Sequence, residues 1–194
     1  MKTYIQIGTN NGDDDFLKLV SDLTEKTNIY LIEPQSDLIP VIESNYKGLM
    51  DKHNITILNN GVVHDKTINS LYKYNETTNG VLSSVIHRKS YDYVVDSINF
   101  EPITISEICE KYKIDKIDLL FIDTEGYDYT IINSLDLDKL NITEIICEIW
   151  PYDIDSNDII VTGPTYFNDV IIPKLNNYTL IKYDCCNYKF TKQV

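Results

Sequence analysis

Apolar residues fall into two alternating patterns along the chain. Short, nearly continuous apolar runs rich in β-branched residues mark strands buried on both faces, and apolar residues at three- and four-residue spacing mark helices. The first run, Tyr4 to Ile7, opens into a Gly-x-x-x-Gly loop from Gly8 to Gly12. The acidic stretch Asp13 to Asp15 then suits the start of a helix whose apolar positions are Phe16, Leu19, Val20 and Leu23. A second strand is expected from Ile29 to Glu33. Leu38, Ile39, Val41 and Ile42 predict a helix from Ser36 to Tyr46, with Ser36 or Asp37 as its cap and Pro40 in its first turn. A third strand follows from Ile55 to Asn59.

From Gly61 to Phe100 the pattern weakens. Ile68 to Tyr74 reads as an optional strand, Asn75 to Ser84 as a polar loop, and the segment as a whole as a wall of the acceptor pocket. Regularity returns with a helix from Ser106 to Tyr112, capped by Ser106, and a strand from Ile117 to Asp123. A helix from Tyr127 to Leu135 and a strand from Glu144 to Ile149 come next. A helix from Thr165 to Ile172 lies between Pro164 and Pro173, and a terminal hairpin pairs Tyr178–Asp184 with Tyr188–Thr191. Leaving out the Ile68 run, this makes seven strands in a doubly wound α/β sheet with helices on both faces. Right-handed crossovers bring the C-terminal ends of the parallel strands to one rim, where a site belongs.

Composition narrows the function. The 194 residues, 43% hydrophobic, suit one domain over 1–194. No run approaches the ~18 apolar residues of a membrane span and no signal-peptide pattern opens the chain, so a soluble, cytoplasmic protein without a membrane partner is expected. Cys109, Cys147, Cys185 and Cys186 form no disulfide framework and are expected reduced. A net charge of −13 with a single arginine, Arg88, opposes a grip on nucleic acid or anionic lipid and favours a small or neutral acceptor. Nothing in the sequence addresses oligomeric state.

Two stretches carry candidate chemistry. The loop reads GxNxG, with Asn10 where a dinucleotide fingerprint needs its middle glycine, and Glu33 ends the next strand about 20 residues on, where a ribose-binding acid sits. A nucleoside with an amino-acid tail fits better than a pyrophosphate: loop amides would take the carboxylate, Glu33 the ribose hydroxyls, and S-adenosylmethionine is such a ligand. The plain alternative is the strand, turn and helix of any α/β protein. The second stretch is Asp123-Thr124-Glu125-Gly126, whose two carboxylates point the same way if the strand alternation continues. They could hold the cofactor's ammonium, act as general base, or, as a secondary reading, bind Mg²⁺ together with Asp153 and Asp155. Alternatively, Glu125 or Asp128 caps the following helix.

The series IQIGTNNG, IYLIEP, NNGVV, LSS, ITISEI, DLLFIDTEGYD and EIICEI resembles the FkbM-type family of S-adenosylmethionine-dependent methyltransferases over Tyr4 to about Pro151, with the DxEG step as its most specific mark. The resemblance implies a Rossmann-like class I methyltransferase fold with a reversed final strand, and methyl transfer to oxygen, often on a sugar or polyketide hydroxyl. It places Gly8, Asn10 and Gly12 in the cofactor loop and Glu33 as the ribose acid. It also assigns Asn60 to the asparagine after strand three, Ser84 to the middle loop, and Asp123, Glu125 and Gly126 to the DxEG step.

The chain departs from the family pattern at Gln6, where an aspartate is usual, at Phe121 in place of a lysine, and at Trp150 in place of a histidine. Losing an acid at Gln6 is expected to weaken the hydrogen bonding behind the loop, and losing the histidine removes a candidate base. Of the remaining histidines, His53, His64 and His87, the last is the best candidate base besides Asp123 and Glu125. Trp150 and Tyr152 read as core or lid aromatics. An O-methyltransferase is the leading reading; a cofactor-binding module or partner subunit without catalysis, or an N-methyltransferase, are the alternatives.

Overall fold

The structure is a computed structural model that describes residues 1–74, 83–85, 94–156 and 159–193. In chain order its strands are β1 (Lys2–Ile7), β2 (Thr27–Ile32), β3 (Asn54–Leu58), β4 (Gly61–Val62), β5 (Ser70–Tyr74), β6 (Val94–Asn99) and β7 (Pro102–Ile103). They continue with β8 (Ile117–Ile122), β9 (Ile142–Glu148), β10 (Ile154–Ser156), β11 (Ile159–Thr162), β12 (Tyr178–Lys182) and β13 (Asn187–Lys192). The main helices are α1 (Asp15–Ser21), α2 (Ile39–Tyr46), α3 (Ile105–Tyr112) and α4 (Asp128–Ser134).

Seven strands form one sheet in the order β12-β13-β9-β8-β1-β2-β3. β1 pairs in parallel with β2 and β8, β2 with β3, and β8 with β9, while β13 runs antiparallel to both β9 and β12. The expected seven-stranded sheet with a reversed final strand is therefore present. The terminal hairpin supplies the reversal by inserting its second strand between β9 and β12.

Both faces of the sheet are covered, which explains the unbroken apolar runs. Ile5, Ile7, Leu120, Ile122, Ile145 and Cys147 pack on one side with residues of α3 and α4, and Leu119, Phe121, Ile146, Ile29 and Leu31 on the other with Phe16 and Val20 of α1 and Ile42 and Tyr46 of α2. Phe121 is buried edge-on against Phe16, their ring centroids 5.5 Å apart. The position where the family carries lysine thus faces core.

Several boundaries correct the sequence reading. α2 starts at Ile39 with Leu38 as its cap and no side-chain cap bond, because Ser36 to Leu38 are used in a turn closed by Leu38 N–H donating to Gln35 O. α3 starts at Ile105, and its cap is Thr104 rather than Ser106: Thr104 and Glu107 make a reciprocal capping box that satisfies two backbone amides at once. The last helix ends at Lys174, one residue past Pro173, near where the sequence places its stop. A helical turn at Pro164–Tyr166 widens into a π turn at Phe167–Ile171 and resumes through Lys174, a local widening that accommodates a residue with no N–H to donate.

The weakly patterned segment is partly ordered outside the main sheet. β5 realises the optional strand and pairs antiparallel with β6, while β4 pairs in parallel with β7. Among the described residues no helix is long and apolar enough to cross a membrane.

Candidate functional site

The C-terminal ends of β1, β2 and β8 meet at Gly8. Its amide and that of Thr9 both donate to Ile32 O, at 3.0 and 3.2 Å, and Asp123 N–H donates to Ile7 O at 3.0 Å. Gly8 has φ +78, and a Cβ built on it would stand 1.8 Å from the Asp123 carbonyl oxygen, so the crossing of these backbones requires glycine. Asn10 is also left-handed, at φ +50, which asparagine tolerates. Gly12 has φ +73 and abuts Tyr46 of α2, so it turns the loop into α1 and does not line the cavity described below.

Glu33, 2% exposed, stands where the sequence places a ribose acid. Its two oxygens accept from Asn10 N–H at 2.7 Å and Gln35 N–H at 2.9 Å. Burial pushes its carboxyl up to about 7, against the pull of those two amides. Gly12 N–H donates to Thr9 O and Asp13 N–H to the Asn11 side chain. The amides of Gly8, Thr9, Asn10, Gly12 and Asp13 are thus engaged within the protein, and the expectation that loop amides would take a ligand carboxylate does not hold for these five.

Behind the loop, Gln6 is fully buried and donates from Nε2 to Asp14 Oδ2 at 2.6 Å, while Asp14 Oδ1 caps α1 by accepting from Leu17 N–H at 2.9 Å. The hydrogen bonding expected to weaken at Gln6 is remade. An amide donates to the cap carboxylate, whereas an aspartate would set a second negative charge against it.

β8 ends at Ile122, so the alternation expected to align Asp123 with Glu125 does not continue. Glu125 at φ +55 and Gly126 at φ +93 fold the DTEG segment into a left-handed turn. The residue that holds this turn is Asp128. Fully buried, it accepts from Thr124 Oγ1 at 2.9 Å, Gly126 N–H at 3.2 Å and Thr124 N–H at 3.3 Å through one oxygen, and from Glu148 N–H at 3.4 Å through the other. Asp128 sits in the first turn of α4, but Tyr127 is the cap, so the capping alternative gives way to a clamp on the loop. Asp123 is half-buried, and desolvation, then the charges of Asp128 and Glu125, raise its carboxyl well above the ordinary range.

These elements enclose a cavity of about 300 Å³. Gly8, Asn10, Glu33, Asn60, Ser84, Asp123 and Glu125 all line it, so seven of the ten positions named from the sequence converge, while Gly126 is held in the turn by Asp128. Gly12 stands behind it, and His87 lies outside the described residues. Ile7, Ile32, Val62, Leu71 and Phe100 make its apolar wall, the last three of them from the weakly patterned segment. Asn60 Nδ2 donates to Glu101 O at 3.1 Å, and Ser84 is held by two backbone bonds to Tyr72.

Trp150 and Tyr152 do not line the cavity. Trp150 is buried edge-on to Tyr152, and Tyr152 is 56% exposed. Among the described residues, the aromatic rings that face the cavity are those of Phe100 and Tyr127. Sequence reasoning missed Tyr127, whose hydroxyl hydrogen-bonds to His64 Nδ1 and whose phenol burial pushes up to about 12. The tyrosine after DTEG was the available signal; its histidine partner, 63 residues away, left none. Among the described residues, three metal-ligand side chains come within 4.8 Å of one another at Asp184, Cys185 and Cys186, a group that includes neither Asp123 nor Glu125. Of the two further acids tied to a Mg²⁺ reading, Asp153 and Asp155, the first accepts from Thr165 N–H and Oγ1 at 2.8 and 2.6 Å.

The model of the methyltransferase FkbM domain matches residues 6–171. An O-methyltransferase from Bacillus cereus, solved in complex with SAH, is similar in structure at TM-score 0.56 and 14% identity, over 98% of this chain and 74% of that one. A putative rRNA-methylase from Clostridium thermocellum aligns at TM-score 0.49 and 13% identity, over 98% and 88%. No curated protein sequence matches the chain.

Proposed function

The chain belongs to the methyltransferase FkbM domain family, and from that premise we propose that it moves the methyl group of S-adenosylmethionine to a hydroxyl oxygen of a small, sugar-like acceptor. Its fold is the Rossmann-like class I methyltransferase fold. The observation that carries the reading is a buried carboxylate, Glu33, facing the same cavity as the Gly8 loop and the DTEG turn.

The residues fit the cofactor. Glu33 has lone pairs left beyond its two amide bonds, as ribose hydroxyls require, and the apolar wall suits an adenine ring. The carboxylates of Asp123 and Glu125 suit a ligand that carries a sulfonium and an ammonium. When bound, S-adenosylmethionine supplies a methyl group already activated by its sulfonium. The protein's part is to align the acceptor hydroxyl and to take its proton. Asp123 is assigned that proton, because burial and its acidic neighbours make it more basic than an ordinary carboxylate; Glu125 orients the hydroxyl. The single arginine and net charge of −13 support a small acceptor over nucleic acid.

Cofactor affinity should depend on pH through Glu33. The ionised carboxylate accepts from hydroxyls and the protonated form does so poorly, so with a carboxyl near 7 the affinity should be full above that pH. It should fall by up to about tenfold per pH unit below it, as proton release is demanded by binding. Calorimetric titration with S-adenosylhomocysteine from pH 5.5 to 8.5 checks this, and Glu33→Gln should flatten the profile.

Methyl transfer is tested by incubating the protein and labelled S-adenosylmethionine with free sugars, nucleotide sugars, amines and RNA. Label on a sugar oxygen is expected. Label on RNA or on nitrogen would replace the acceptor assignment, and binding of cofactor with no transfer to any class would favour a module without catalysis.

A further inference from the structure

The hairpin turn between β12 and β13 lies on the same rim as the cavity, since Asn187 pairs with Glu148 at the end of β9 and Ile149 N–H donates to Cys186 O at 2.7 Å. It carries Asp184, Cys185 and Cys186, and both thiols are exposed with their sulfurs 3.1 Å apart. One donor atom from each of the three residues lies within 4.8 Å of the others. We propose that this turn is a binding site for a thiophilic divalent cation of the Zn²⁺ type, held by the two sulfurs and the Asp184 carboxylate with one position open to solvent.

The donor set carries the choice of ion. Thiolates select soft and borderline cations over Mg²⁺ and Ca²⁺, and two sulfurs with one carboxylate oxygen suit a tetrahedral ion that keeps a water or external ligand. Asp184 is already fixed for the task. Its Oδ1 accepts from Cys186 N–H at 2.7 Å, Asn187 N–H at 2.8 Å and Asn187 Nδ2 at 3.3 Å, so it holds the turn closed. Its Oδ2 accepts from Asn187 Nδ2 at 3.1 Å and retains lone pairs for a cation. In a tetrahedral site with ~2.3 Å metal–sulfur bonds the sulfurs stand about 3.8 Å apart, so the thiols need open by only about 0.7 Å, within reach of side-chain rotation on an exposed turn. Each thiol loses its proton to solvent as the metal–sulfur bond forms, with no redox step.

The test uses the full chain, reduced and kept free of oxygen, titrated first with Co²⁺ and then with Zn²⁺. About one equivalent of Co²⁺ should produce a thiolate-to-cobalt charge-transfer band, which Zn²⁺ removes by displacement. Cys185→Ser and Cys186→Ser should each weaken binding at least about tenfold, and the double variant should lack the band while unfolding at the wild-type temperature. Absence of the band in the wild type, or an undiminished band in the double variant, would overturn the proposal; so would loss of the two thiols to a mutual disulfide under these reducing conditions.

Discussion

Gly8→Ala should unfold well below the wild type and lose measurable affinity for the cofactor. At φ +78 any side chain costs ~1–2 kcal/mol. The larger part comes from the Asp123 carbonyl oxygen, 1.8 Å from the new Cβ. That atom is backbone, fixed by the pairing of β1 with β8, so it cannot swing away as a side chain would. Relief requires the two central strands to part at their tips, which also pulls on the bonds of Gly8 and Thr9 to β2. A loss of about 3 kcal/mol or more is expected, lowering Tm by about 6–12 °C for a chain of this length. Gly48→Ala is the internal comparison: nothing lies within 4 Å of its Cβ and its φ is not positive, so stability should hold. Equal melting of wild type and Gly8→Ala would show that the strand tips do not meet as described.

Asp123→Asn should lower kcat by roughly 10² or more, a larger effect than its effect on cofactor affinity, because the amide keeps the shape of the side chain and cannot accept the acceptor's proton. Glu125→Gln should act mainly on acceptor KM. The variants separate two roles for the pair. If the carboxylates only held the cofactor, Asp123→Asn would raise the cofactor KM and leave kcat intact. Asp128 is a poor choice for the same experiment, since its removal strips partners from three backbone amides and one hydroxyl and collapses the DTEG turn.

The sheet was legible because its central strands are buried on both faces and interrupted by helical repeats, a pattern that the chain keeps from Tyr4 to Asn59 and again from Ser106 to Ile149. The rim was legible for the same reason, and it brought Gly8, Glu33 and Asp123 together. What escaped was decided by local competition or by distant partners. Thr104 and Ser106 are both acceptable caps, and only the reciprocal bond with Glu107 selects the first. The alternation argument at Asp123 and Glu125 failed because a left-handed residue resets side-chain direction, and Glu125 gives no sign of it in sequence. Asp128 looked like a helix-start acid because three of its four donors are backbone amides, which sequence does not display. Gln6 looked like a loss until its partner, the cap carboxylate of Asp14, was in place.

The most direct measurement is calorimetric titration of S-adenosylhomocysteine into the wild type and Glu33→Ala at pH 8. Hydroxyls held by a buried charged acceptor contribute ~1.5–3 kcal/mol each. A single site on the wild type, weakened by about tenfold or more in a variant that remains folded, is the predicted result. No binding to the wild type, or equal affinity in the variant, would contradict the assignment of this cavity to the cofactor.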